Sequence, residues 1–200
     1  SDADYILQTQ VSGDQLHATL DCARRSEATV LCHSELASWF TQQGIQNVHS
    51  LTLGSGVNLP FGKVIMTLAH QGGASADSTP DLSAAGAPAM GAPVSYLIHF
   101  NDGLDVYVAG NSAQTADMEL IGKAGGVDLA ILPLGNQPYN GSDDALRAAQ
   151  LVQAKHVLPL RRSVRANAQA IDEGIVLAER LRRVAEIDAT VLQPGEEAVF

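Results

Sequence analysis

A mixed α/β fold is what the sequence predicts, and three observations predict it. Strand–helix units occur at both ends of the chain, and an antiparallel run lies between them. The opening segment, ADYILQTQVSGDQLH (residues 3–17), joins a short apolar strand to a helix through a polar turn. In α/β proteins the crevice at the carboxyl ends of the strands is where ligands bind. The loop after Thr9 is therefore the first place to look for chemistry.

Two hundred residues at 46% hydrophobic are enough for one sizeable core, so a single domain over 1–200 is expected. The longest weakly polar region, 69–97, is interrupted by Gly, Pro, Asp and Ser and is no membrane span. Twelve basic against 22 acidic side chains give a net charge of −10, which argues against nucleic acid as a partner. Solubility accounts for that charge. Cys22 and Cys32 stand alone among apolar neighbours. Two isolated thiols suit core packing in a reducing compartment, hence a cytoplasmic location, better than a disulfide framework or a zinc knuckle. No charged-then-apolar leader opens the chain, which starts at Ser1 almost directly with a strand. A fragment or a processed product is the expectation.

The elements follow in order. Apolar YIL and its neighbours predict a strand over 5–9, and Leu16, Leu20 and Ala23 at helical spacing predict a helix over 17–25. ATVLC predicts a strand over 28–32. Ser34 is placed to cap a helix through Gln43, ended by Gly44, with Leu36, Trp39 and Phe40 as its buried stripe. Strands are expected over 47–53 and 63–68, joined by the turn LGSGVNLPFG. Residues 71–93, QGGASADSTPDLSAAGAPAMGAP, lack periodicity and large apolar groups, so a flexible loop is expected there. Strands over 94–100 and 104–109 form a hairpin around Asn101-Asp102-Gly103. A helix near 116–123 and a strand starting at Val127 (VDLAILPL) come next. Ser142 is expected to cap a helix through Gln153, with Asp143 and Asp144 in the first turn where the helix dipole favours them. A strand over 156–160, a long amphipathic helix over 167–184 and short strands over 190–192 and 198–200 close the chain.

Eight segments stand together in a familiar order and spacing: ADYILQTQVSGDQL, SELASWFTQQGI, LPFGKVIMTLAH, VYVAGNS, ADMELIG, VDLAILPLGN, GSDDALRAAQLV and HVLPL. Over nearly its whole length the chain resembles the metallo-β-lactamase fold, in the branch of small metal-dependent hydrolases related to sugar-phosphate lactonases. The resemblance implies an αββα sandwich with a metal site at one edge, built by loops that follow several strands. It also implies a first strand pair, carrying a Gly-His segment, that this chain lacks. An open apolar edge should result, and such edges pair with something. A homo-oligomer, or a complex with a related subunit or with the missing N-terminal segment, is therefore expected.

The resemblance also fixes where metal ligands would stand. The family's first loop carries His-x-His-x-Asp-His after a Thr; here Thr9 is followed by Gln10, Val11, Ser12, Gly13, Asp14 and Gln15, so only Asp14 survives. The next His falls on Gln71, with His70 one residue early; the bridging Asp becomes Asn111; the last His becomes Arg161. Zinc and its relatives take imidazole, thiolate or carboxylate. Amides give only neutral oxygen, and a guanidinium gives no lone pair at all. Without a metal there is no low-pKa water at neutral pH.

These replacements led to definite expectations. An Arg161–Asp14 pair, with the amides of Gln10, Gln15, Gln71 and Asn111, takes the place of the metal cluster, because a lone buried charge is costly. The leading function is a degenerate, non-catalytic protein acting as a binding or partner subunit, with no cofactor expected. The alternative is a metal-dependent hydrolase of a small ester, lactone or phosphate, holding one zinc or manganese ion weakly near Asp14 and His70. A third reading makes Arg161, Arg162 and Arg165 an anion-binding cluster. Ser12, Asp14 and His17 lie close in sequence but lack an oxyanion-hole signature, so helix capping explains Ser12 and Asp14. His33, His49, His99 and His156 read as packed or surface histidines, and Gly110, Gly125, Gly126 and Gly135 as turn glycines without a phosphate-loop signature.

Overall fold

A computed structural model of the chain describes residues 3–11, 13–70, 93–135, 141–161, 168–193 and 195–200. Alternation of side chains decides its layering. In the strand β2 (Thr29–His33), Val30 and Cys32 point one way and Leu31 the other, and all three are fully buried. A strand buried on both faces must sit between two layers. Val30 and Cys32 pack under α1 (Gly13–Ser26) and α2 (Ser34–Gln42), against Leu16, Leu20, Leu36 and Phe40. Leu31 faces a second sheet, in a core with Met66, Tyr96 and Ile98.

The first sheet is parallel, in the order β1-β2-β3, with β1 at Tyr5–Leu7 and β3 at Val48–Leu51. The second sheet is mixed. It contains β4 (Gly56–Leu59), β5 (Gly62–Leu68), β6 (Val94–Phe100), β7 (Asp105–Val108), β8 (Val127–Leu134), β9 (Ala154–Arg161) and β10 (Asp188–Ala189), in the order β10-β9-β8-β7-β6-β5-β4. Its outer face is covered by α3 (Ala116–Lys123), α4 (Ser142–Leu151) and α5 (Ala168–Ala185), through Tyr107, Met118, Leu132, Ala149, Leu177 and Leu181. Helices, sheet, sheet, helices: this is the expected αββα sandwich.

Most predicted elements form, and the differences have local causes. The expected turn after β3 contains an extra strand, β4, because residues 56–59 gain a ladder with β5 that only the tertiary fold supplies. The opening strand stops at Leu7, two residues short, and α1 begins at Gly13 instead of His17. The α2 helix is capped by His33, whose ring nitrogen accepts from the Glu35 N–H at 3.4 Å, so Ser34 lies inside the helix. Likewise Ser142 does not cap α4; Gly141 does, and the Ser142 hydroxyl accepts a hydrogen bond from Arg180 at 2.9 Å. Arg180 also pairs with Asp143, a partner α5 supplies in addition to the helix dipole. Neither 190–192 nor 198–200 is a strand; the closing strand is β10, whose ladder to β9 takes in Asp188 and Ala189. The expected loop over 71–93 lies, apart from Pro93, outside the described residues.

Both cysteines are free thiols, and burial pushes the Cys32 thiol up to about 12. No described helix is long and apolar enough to cross a membrane.

One ionic ladder gives the fold a measurable pH dependence. Lys155 Nζ lies 2.7 Å from Asp128 Oδ1, the Asp105 N–H donates to Asp128 Oδ2 at 2.8 Å, and His99 Nδ1 is 2.6 Å from Asp105 Oδ1. The hydrogen bond from Lys155, then that from the Asp105 N–H, holds the Asp128 carboxyl below its usual range. A carboxyl lowered in the folded state stabilises fully above its unfolded pKa, and this contribution is lost as pH falls through the folded value. Asp128→Asn is therefore expected to flatten the fall of stability below about pH 4, measured by urea unfolding across an acid series. A slope identical to wild type contradicts the assignment.

Candidate functional site

Strand directions bring the loops together. β7, β8 and β9 run parallel, and β5 runs with them because β6 is antiparallel to both β5 and β7. Their carboxyl ends, at Leu68, Val108, Leu134 and Arg161, therefore lie along one edge of the sheet. The loop after β1 reaches the same edge from the other sheet, where the Val94 N–H donates to Thr9 O at 2.8 Å.

Three loops meet there. Asn111 Nδ2 donates to Gln10 Oε1 at 3.0 Å, which joins the turn after β7 to the turn after β1. The His70 N–H donates to Ser112 Oγ at 2.9 Å, and the Ala113 N–H donates to His70 O at 2.7 Å, which joins the end of β5 to the same turn. Gly110 is the pivot. Its φ of +60° suits glycine, and a Cβ there would sit 3.0 Å from Thr9 Cβ. The Thr9 loop approaches that closely only because no side chain intervenes.

Sequence reasoning missed the residues that hold this loop in place. Gln8, 4% exposed, donates from Nε2 to Gln10 O at 2.5 Å and accepts on Oε1 from the Thr19 hydroxyl at 2.6 Å. Tyr96 Oη, fully buried, donates to Gln8 O at 2.9 Å and lies 3.2 Å from Leu31 O. Burial lifts its phenol well above the usual range, so it stays a donor. The available signal was Gln8 itself: an amide ending the apolar run YIL must be satisfied inside the protein.

Of the positions named from sequence, Gln10 and Asn111 are brought into contact. Gln15 is exposed on α1, as is His17. Asp14 stands in the first turn of α1 and Arg161 at the end of β9, opposite Leu134, but the side chains of both lie outside the description. Ser12, Gln71, Arg162 and Arg165 also lie outside the described residues, so the Arg161–Asp14 pair, the capping by Ser12 and Asp14 and the anion cluster do too. The other histidines have local partners: His33 caps α2, His99 pairs with Asp105, and His156 sits 2.8 Å from the Thr190 hydroxyl and against the Phe200 ring. His49 is half-buried on β3.

Among the described residues, no three His, Cys, Asp or Glu side chains come together as a cation-binding group. The described donors at this edge are the His70 imidazole and neutral amides, with Gln10 Oε1 already accepting from Asn111. That set does not fit a two-metal centre. It leaves room for one divalent ion at most, completed by the Asp14 carboxylate from the same loop, since amide and carboxylate oxygens suit hard cations.

No family model matches the chain. It is 36% identical over 158 residues to a UPF0173 metal-dependent hydrolase of an Exiguobacterium species, covering 78% of this chain and 66% of the relative. A UPF0173 metal-dependent hydrolase of Heliobacterium modesticaldum is 31% identical over 199 residues, or 97% of this chain and 79% of the relative. The chain thus spans about two thirds of the length of the first curated relatives it matches. Among solved structures, Igni18, a metallo hydrolase of Ignicoccus hospitalis, superposes with a TM-score of 0.78 at 24% identity, covering 98% of this chain and 78% of its own. The metallo-β-lactamase-fold protein YhfI of Bacillus subtilis gives 0.59 at 11%, covering 95% and 74%. Two expectations are corrected by these findings. Relatives at this identity are named metal-dependent hydrolases, and nothing indicates a non-catalytic binding subunit. The same names overturn the expectation of no cofactor. The physical reason for both errors is the same: the reading weighed only side-chain replacements at the site, whereas relatedness is carried by the whole chain.

Proposed function

The chain belongs to the UPF0173 metal-dependent hydrolase family, and on that premise we propose that it hydrolyses a small ester, lactone or phosphate with a reduced metal site. The observation that supports this is the meeting of the Thr9, His70 and Asn111 loops at one sheet edge, where three separate hydrogen bonds join them. Loops pinned to a rigid sheet hold a site more precisely than free ones. His70 and Asp14 are the residues that would hold the ion, with the amide oxygens of Gln10 and Asn111 as neutral neighbours. A divalent ion bound there supplies a low-pKa water and polarises the scissile group. The chain's own part is orientation. Asn111 fixes the Gln10 amide, and Gln8 fixes the backbone on which Gln10 stands.

We further propose that the protein is cytoplasmic, which its two free thiols support, and that it works as an oligomer or beside a related subunit. The half-buried apolar strand β1, at the end of its sheet, supports the second point.

Native mass spectrometry of protein purified without chelator tests metal and assembly together. One zinc or manganese ion per chain is expected, on a species larger than the monomer. Turnover of a lactone, a p-nitrophenyl ester or bis(p-nitrophenyl) phosphate should vanish with chelator and return with the ion. A metal-free protein that shows no turnover with added zinc or manganese refutes the hydrolase reading.

A further inference from the structure

Among the described residues, three buried side-chain oxygens lack a hydrogen-bond partner: Thr67 Oγ1, Tyr107 Oη and Thr115 Oγ1. Thr67 is 8% exposed, Thr115 6% and Tyr107 not at all, so bulk solvent does not satisfy them. Buried hydroxyls in native proteins nearly always have a partner, and where protein supplies none, water does.

Register places these groups on one face. Thr67 of β5 lies opposite Ser95 of β6, and Tyr107 of β7 lies opposite Leu97, two residues along β6 from Ser95. Residues two apart on a strand share a face, so Thr67, Ser95 and Tyr107 all point to the layer where Met118 and Ile121 of α3 pack. The phenol of Tyr107 faces the hydroxyls of Ser95 and Thr67, with Asp117 nearby. Ser95 Oγ gives its proton to Ala109 O at 3.0 Å and keeps its lone pairs. Asp117 Oδ2 accepts from the N–H of Leu68, the residue after Thr67. Thr115, the N-cap of α3, stands two residues before Asp117 and makes no capping bond with its side chain.

We propose that this hydroxyl-lined chamber beneath the N-terminus of α3 is a binding site for one ordered water. Tyr107 Oη donates to it, and it donates to Thr67 Oγ1 and Ser95 Oγ, which gives the three bonds typical of a buried water. The chemistry selects water over a cation: Tyr107, Thr67 and Ser95 are neutral, and Asp117 is already engaged with a backbone N–H. The water joins β5, β6 and β7 directly behind the strand end that carries His70. This inference does not depend on the hydrolase reading.

A crystal structure of the whole chain, with Tyr107→Phe and Thr67→Val variants, tests it. Ordered density is expected within hydrogen-bond distance of both Tyr107 Oη and Thr67 Oγ1. Tyr107→Phe should abolish that density and lower the melting temperature by about 2–4 °C, the size of a lost buried hydrogen bond in a chain this long. Thr67→Val should act in the same direction, and the double variant should lose less than the sum, because both remove the same water. Two results overturn the proposal. One is the absence of density at the site. The other is a Tyr107→Phe variant that melts at or above the wild type, since deleting a truly unpaired hydroxyl is stabilising.

Discussion

Gln8→Leu is expected to destabilise the protein by about 3 kcal/mol, because two buried polar groups lose their partners at once and each costs about 1–3 kcal/mol. Leucine matches the size of the amide side chain and fills the same space, so cavity formation contributes little. The loss is electrostatic: Gln10 O is left without the donor that reaches it at 2.5 Å, and the Thr19 hydroxyl without its acceptor at 2.6 Å. The backbone of Gln10 is then freed while its side chain remains tied to Asn111, so the Thr9 loop loosens where the candidate site is built. Urea unfolding followed by far-UV circular dichroism measures the effect. Gln15→Leu, on the exposed side of α1, is the control and should stay within about 0.5 kcal/mol of wild type. Equal midpoints for Gln8→Leu and wild type mean that the loop is held by something other than Gln8.

Gly122→Ala is the second large effect, and its sign decides between two physical terms. In a helix, alanine is favoured over glycine by about 1 kcal/mol, so propensity alone predicts stabilisation. Packing predicts the reverse. A Cβ on Gly122 would sit 2.1 Å from the carbonyl oxygen of Leu151 and 3.2 Å from its carbon, both backbone atoms at the end of α4. No rotamer change relieves that contact; α3 and α4 must move apart. Overpacking of this kind costs about 1–3 kcal/mol and sometimes more, so a net loss of about 3 kcal/mol is expected. The displacement also reaches the site, since α3 carries Asp117, which holds the Leu68 N–H two residues before His70. A variant at least as stable as wild type, by the same urea titration, shows that the helices do not approach this closely.

The two cases mark how far the chain can be read in one dimension. The stripe of Leu36, Trp39 and Phe40 and the Asp-Gly hairpin between β6 and β7 are local: their causes lie within a few residues, and the structure holds them as expected. The strand β4 was hidden because Gly56–Leu59 has only one neighbour, and its ladder with β5 arises across a turn that reads as pure loop. The caps of α2 and α4 were misassigned by one residue for a similar reason. Serine is the better cap in general, but Ser142 is drawn off by Arg180, which stands 38 residues away.

The candidate site divides in the same way. Gln10 and Asn111 are visible in the sequence because each follows an apolar strand and stands at a loop position the resemblance marks. The contact between them spans 101 residues, and no local pattern announces it. Gln8 and Tyr96 were not visible, since a glutamine after a strand and a tyrosine within one have many ordinary uses. Only the stacking of the two sheets, which lays Tyr96 Oη against the carbonyl of Gln8 88 residues earlier, makes them the support of the loop. Periodicity and turn chemistry act between near neighbours and are enough to decide the class of fold and the faces of its helices. Which polar groups meet, and which are left to water, depends on how two buried sheets register against each other, and that is settled only when the layers close.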